Sequence, residues 1–183
     1  MKIAATSING LSVVDTALHA DARGSFARLY CADLLAPVLA GRRIAQINHS
    51  RTSAVGAVRG LHFQLAPHAE MKLVRCLKGR VWDVAVDLRA GSPTFLQWHA
   101  ETLSPDTMRM IVIPEGFAHG FQVLEPDSEL LYLHTAAYNA DAERAVRYDD
   151  PRLGIRWPLP VTQTSLRDAA HPPLGADFIG VHP

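Results

Sequence analysis

A chain of 183 residues with 18 basic and 18 acidic side chains carries no formal charge, and 48% of it is hydrophobic. Neutrality without a basic stripe gives nucleic-acid or anionic-membrane binding no electrostatic footing, and no run reads as a membrane span or signal peptide. The length fits one domain over residues 1–183, which at this size buries roughly 70% of its unfolded surface without staples.

Cys31 and Cys76 show no metal or redox spacing and read as free thiols of a cytoplasmic protein. Proline and glycine recur at short intervals, and most intervening runs alternate apolar with polar. That pattern predicts an all-β sandwich or barrel of about eight to eleven strands with a few short helices.

In chain order, the N-terminal arm carries one alternating run, Leu11 to Val14, before a turn at Asp21-Ala22-Arg23-Gly24-Ser25-Phe26 enters a strand. Asp33 suits the N-cap of a short helix, Leu34 to Ala40, ending at Gly41. Gln46, Asn48 and Ser50 then share one strand face. In Val58 to Gln64, alternation puts His62 and Gln64 on one face with Val58 and Gly60, and Arg59, Leu61 and Phe63 on the other.

Lys72 to Leu77 and Arg80 to Leu88 read as a hairpin about Lys78-Gly79. Its second arm sets Trp82, Val84, Val86 and Leu88 opposite Val81, Asp83, Ala85 and Asp87. Phe95 to Leu103 and Met108 to Ile113 follow as strands. Pro114-Glu115-Gly116 turns into Phe117 to Phe121, and Leu130 to Ala137 holds Tyr132 and His134 on one face. Ser165-Leu166-Arg167-Asp168 opens a helix. In a small barrel one face of every strand points inward, so these polar faces converge on a polar cavity. An unliganded core avoids that many polar groups.

The runs Arg59-Gly60-Leu61-His62-Phe63-Gln64 and Ile113-Pro114-Glu115-Gly116-Phe117-Ala118-His119-Gly120-Phe121 are highly specific. With Gln46-Ile47-Asn48, Lys72-Leu73-Val74, Gly79 to Arg89 and Ser165 to Asp168, they resemble the dTDP-4-dehydrorhamnose 3,5-epimerase family in order and register. The resemblance implies a cupin-like jelly-roll barrel acting on a nucleoside-diphosphate 4-keto-6-deoxyhexose, without metal or other cofactor. It also implies a homodimer that exchanges N-terminal strands.

It assigns His62 as base, Asp168 as its carboxylate partner, Tyr132 as acid on the opposite sugar face and Lys72 beside the C4 keto oxygen. Arg23, Gln46, Asn48, Arg59, His119, Glu143 and Arg167 fall where the family contacts its nucleotide-sugar, and Phe26 and Tyr138 where it packs on the base. Three positions depart from the family pattern. Arg28 stands for the usual Glu near the nucleotide, Arg167 for the usual Lys, and Leu96 for a common Gly.

These residue types suit the chemistry. Both C3–H and C5–H lie α to the ketone, so epimerisation is proton removal from one face and return to the other. An imidazole with an ordinary pKa near 6.5 and a phenol near 10 supply base and acid at neutral pH. A carboxylate fixes the imidazole tautomer, an ammonium stabilises the oxyanion at O4, and guanidinium forks suit a diphosphate.

Blander readings stay open at this level. Asp168, three residues after Ser165, also fits a capping box. Lys72 fits a solvated strand edge, His119 a loop cap, and Glu143 or Arg167 a surface charge. Tyr132, Phe26 and Tyr138 fit packing, and Arg23 and Arg59 a structural role. A close variant, an epimerase of C3 or C5 alone or one taking another nucleotide, stays open, and so do two rival classes: a metal-dependent cupin oxygenase, which needs about three converging N/O ligands, and a non-catalytic sugar-nucleotide binder.

Overall fold

A computed structural model describes all residues, Met1–Pro183. The chain opens with β1 (Lys2–Ala5), β2 (Ser12–Asp15), β3 (Leu18–Asp21) and β4 (Gly24–Ala27), then α1 (Ala32–Leu39). β5 (Gln46–Thr52), β6 (Val58–Gln64), β7 (Lys72–Lys78), β8 (Val81–Asp87) and β9 (Trp98–Leu103) follow. The remainder holds β10 (Arg109–Ile113), β11 (Phe117–Val123), β12 (Ser128–His134), β13 (Glu143–Ala145) and α2 (Leu166–Ala170). The strand count exceeds expectation because the N-terminal arm supplies four short strands and the 143–145 segment one more.

The strands form a six-stranded sheet, β1-β2-β10-β7-β12-β5, facing a five-stranded sheet, β13-β6-β11-β8-β9, in a cupin-like jelly roll. The inner faces differ along their length. Val74, Cys76, Leu130, Ile111, Phe117 and Phe121 pack a dry core at one end. The register Cys76↔Leu130, Val74↔Tyr132, Lys72↔His134 carries the same inner face from apolar to polar at the other end. One half of the barrel is plugged and the other is a lined cavity.

Both outer faces are covered. Leu35 and Leu39 of α1 pack on Leu73, Met110 and Leu133. The C-terminal segment packs on Val84, Val86 and Leu88 through Trp157 and Phe178, and Trp82 meets Trp98 and Trp157 edge-on at 5.8 and 5.4 Å. Such pairs add ~0.5–1.5 kcal/mol beyond their burial. This clamp brings α2 up behind β6.

Three expectations need correcting. The Lys78-Gly79 turn does not close a hairpin. It carries the chain between sheets, because β7 is bonded on both edges to β10 and β12, and β8 to β9 and β11. A turn signal reports local backbone, here φ +73 at Gly79, not which strand pairs with which. Asp33 is not the cap of α1: it lies in the first turn, Cys31 is the N-cap without a side-chain bond, and Ala40 in the left-handed region ends the helix. Leu96 also has φ +62, which explains why glycine suits that position and leaves Leu there at a cost of ~1–2 kcal/mol.

The third correction decides the site. Across β6 and β11, His119 opposes His62 and Phe121 opposes Arg59, so three steps on β6 face two on β11. That is a β-bulge, and it resets the alternation. Arg59 therefore joins His62 on the cavity face, which strict period-two reading forbids.

The bulge requires glycine on both strands. A Cβ on Gly60 (φ +120) meets Gly120 Cα at 2.6 Å and the His119 carbonyl at 2.7 Å, and one on Gly120 meets the Arg59 carbonyl at 2.7 Å. Gly60→Ala adds overpacking (~1–3 kcal/mol) to a strained φ (~1–3 kcal/mol), so a loss of about 3 kcal/mol or more is expected. Urea unfolding of the variant checks it.

Candidate active site

A cavity of about 500 Å³ occupies the polar half of the barrel, within the ~300–1,000 Å³ usual for small-molecule sites. β6 contributes His62 and Arg59, β7 Lys72, β11 His119, β12 Tyr132 and His134, and β5 Asn48 and Ser50. Tyr138 and Glu143 stand at the mouth.

Behind His62 lies Asp168. Its Oδ1 is 2.8 Å from His62 Nε2, its Oδ2 accepts the Gly60 amide at 3.3 Å, and its own amide donates to the Ser165 hydroxyl at 3.0 Å. The capping role is therefore half right. Ser165 caps the helix, and the carboxylate goes to the imidazole instead of returning to the cap. Burial pushes the Asp168 carboxyl up, but the His62 hydrogen bond and charge and the Gly60 amide outweigh it and hold it below the ordinary range. A carboxylate only accepts, so neutral His62 carries its proton on Nε2 and leaves Nδ1, which has no protein partner, as the basic atom.

Tyr132 rests against Ser50, with 3.2 Å between the oxygens. Its ring lies edge-on to His119 at 6.1 Å and stacks on His134 at 6.0 Å. Burial drives the phenol well above its ordinary pKa, against the lowering effect of Ser50, so the group stays protonated at neutral pH. Lys72 Nζ donates to the His62 carbonyl at 3.0 Å and pairs with Glu70 at 3.3 Å. His119 and Asp83 form a buried pair, 2.9 Å apart, with burial pushing Asp83 up despite His119.

At the mouth, Tyr138 donates through its hydroxyl to Glu143 at 3.0 Å, and Arg167 forks onto the same carboxylate at 2.8 and 3.2 Å. Gln46 links the Tyr138 amide to Asn48 at 3.0 Å on each side. Arg59 is exposed at the rim, with Nη1 3.4 Å from the Thr52 hydroxyl. Arg23 and Phe26 are not brought to the cavity of their own chain. They sit on the β3–β4 hairpin, which pairs with neither large sheet, and Phe26 is 68% exposed while Arg23 holds its own Asp21.

Gln64 shares the His62 face but does not line the cavity. Its amide ties together the His68 carbonyl (2.9 Å) and the Asn139 amide (2.6 Å). The resemblance assigns no role to Asp83 or Glu70, although each pairs with a cavity histidine. Asp83 had a readable signal, an acid alternating with Val81 and Ala85 on an inward face, where a charge demands a partner. Glu70 lies outside any strand, and nothing in its spacing marked it.

A jelly roll whose one cavity is lined by a carboxylate-backed imidazole, a protonated phenol and an ammonium has the groups of a proton-transfer isomerase. No three His, Cys, Asp or Glu side chains are grouped to hold a metal; His62, His119 and His134 each face a carboxylate of their own. Residues 5–176 match the profile of the dTDP-4-dehydrorhamnose 3,5-epimerase family. The enzyme of that name from Salmonella typhimurium (strain LT2) is 40% identical over 175 residues, 94% of each chain.

The crystal structure of dTDP-6-deoxy-D-glucose-3,5-epimerase from Legionella pneumophila Philadelphia 1, in complex with dTDP-4-keto-L-rhamnose, is 39% identical with a TM-score of 0.91. The match covers 100% of this chain and 98% of that one. A 3'-monoepimerase from Streptomyces bikiniensis, in complex with dTDP-quinovose, is 31% identical with a TM-score of 0.84, covering 92% and 85%. The chain belongs to the dTDP-4-dehydrorhamnose 3,5-epimerase family and is an epimerase.

Proposed function

We propose that the protein epimerises a dTDP-linked 4-keto-6-deoxyhexose at both C3 and C5, as a step of deoxysugar biosynthesis, with residues 1–183 acting as one domain. The observation that carries the reading is the shared cavity of His62–Asp168, Tyr132 and Lys72. His62 Nδ1 takes the proton α to the ketone, and charge moves to O4 as an enolate. Lys72 offers the ammonium that stabilises that oxygen, and Tyr132 returns a proton from the opposite face. Relatives from Sinorhizobium fredii, Salmonella typhimurium and Pseudomonas aeruginosa are each named for inversion at both centres, which favours two.

Arg59 suits the diphosphate, and Tyr138, Glu143, Arg167, Gln46, Asn48 and His119 suit the rest of the nucleotide-sugar. Arg23 and Phe26 reach a cavity only across an interface. In this reading the protein is a homodimer whose N-terminal strands exchange, and the unpaired β3–β4 hairpin supports it. The two unpaired thiols suit the reducing cytoplasm.

Incubation with dTDP-4-keto-6-deoxyglucose in D₂O, followed by NMR, tests the function. Deuterium is expected at both carbons with inversion at each; exchange at neither ends the reading, and exchange at C3 alone makes the protein a single-centre enzyme. Light scattering tests the assembly: a mass of about 20 kDa, that of one chain, excludes the dimer.

A further inference from the structure

The cavity holds a carboxylate for which the steps above have no use. The Glu70 side chain, 8% exposed, puts Oε1 3.3 Å from Lys72 Nζ and Oε2 2.7 Å from His134 Nδ1. Glu70 is the only ion-pair partner of Lys72, and a buried ammonium without a counter-charge is costly. Burial pushes the Glu70 carboxyl up, yet His134 and Lys72 together hold it below the ordinary range.

Because a carboxylate only accepts, neutral His134 carries its proton on Nδ1, and its Nε2 is left as an acceptor. Asn48 Nδ2 stands 3.3 Å away to fill it. The direction then propagates without conflict. Asn48 Oδ1 accepts from Gln46 Nε2 at 3.0 Å, and Gln46 Oε1 accepts from the Tyr138 amide at 3.0 Å. On the other side Lys72 donates onward to the His62 carbonyl. An unbroken line of donors and acceptors runs from Tyr138 to the strand that bears the base, and one tautomer of His134 keeps it whole.

We propose that Glu70 and His134 are positioning residues for proton transfer: His134, as the Nδ1–H tautomer, holds the Glu70 carboxylate against Lys72 so that the ammonium is aimed at the ketone oxygen. The inference rests on the role given to Lys72 above. A displacement of about 1 Å in such a group costs on the order of 10²-fold in rate.

The test compares kcat for solvent-deuterium exchange with KM and with dTDP binding. Glu70→Gln keeps the shape and removes the charge. It is expected to lower kcat at least about tenfold, with KM and dTDP affinity nearly unchanged. His134→Leu shows the same loss, and His134→Asn, which keeps an N–H directed at Glu70, recovers most of it. Lys72→Met is the reference.

If Lys72→Met is impaired while Glu70→Gln turns over like wild type, the positioning role is wrong and the reading of Lys72 stands. If Lys72→Met is unimpaired, that reading falls and takes this one with it. Joint loss of kcat and dTDP affinity in Glu70→Gln means a collapsed cavity and also overturns the proposal, as does His134→Asn performing no better than His134→Leu.

Discussion

His62→Ala abolishes deuterium incorporation at both C3 and C5 while dTDP binding stays measurable. The expected loss is on the order of 10²–10⁴-fold, the contribution of a positioned general base. One base serves both carbons in this account, because both protons are α to the same ketone and Nδ1 of His62 is the one imidazole nitrogen left free by its carboxylate.

The variant also strips Asp168, itself 4% exposed, of its hydrogen-bond partner, so lost stability must be separated from lost chemistry. His62→Asn supplies that control, since a side-chain amide can still meet the carboxylate without acting as a base. Both variants should be equally inert. Tyr132→Phe behaves differently: proton removal survives better than inversion, because the returning acid is gone and the base is not. Wild-type exchange at either carbon in His62→Ala removes His62 as the base there.

Much of this is legible in the sequence. Alternation in β8 and β12 separates the two faces of each strand correctly, because successive side chains of a regular strand point to opposite faces; it does not say which face of β8 turns inward, since both are buried. It placed Tyr132 and His134 together, and Gln46 with Asn48. It failed at Arg59, where one extra residue at Gly60 reverses the face, and a bulge is visible only once its partner strand is known.

The β7–β8 pairing failed for a related reason, since sheet membership depends on β10 and β12 approaching from far along the chain. Residue resemblance assigned Asp168 to His62 across 106 positions, a contact no periodicity reaches. Arg23 and Phe26 mark the opposite limit, because one chain does not carry them to its own cavity.

Asp168→Asn should be nearly as damaging as loss of the base, although it changes one atom. The wild-type carboxylate accepts twice, from His62 Nε2 and from the Gly60 amide. An asparagine side chain has one acceptor oxygen and one NH₂. The Gly60 amide can only donate, whereas the imidazole can exchange tautomers, so the oxygen settles on Gly60 and the NH₂ faces His62. The imidazole proton then moves to Nδ1, and the atom that should be basic in the cavity is capped. A loss on the order of 10²–10⁴-fold in exchange follows, with nucleotide affinity retained.

The same substitution has a signature in stability. The folded Asp168 pKa lies below its ordinary value, so the unfolded chain takes up the proton first as pH falls. The carboxylate therefore stabilises the fold above about pH 4, and the contribution disappears as pH drops through the lower folded value. Wild type is expected to exceed Asp168→Asn in thermal stability at neutral pH, with the gap closing below about pH 4. A gap that stays constant down to pH 3 would show that the carboxylate is not held charged by His62, and the tautomer argument would lose its footing.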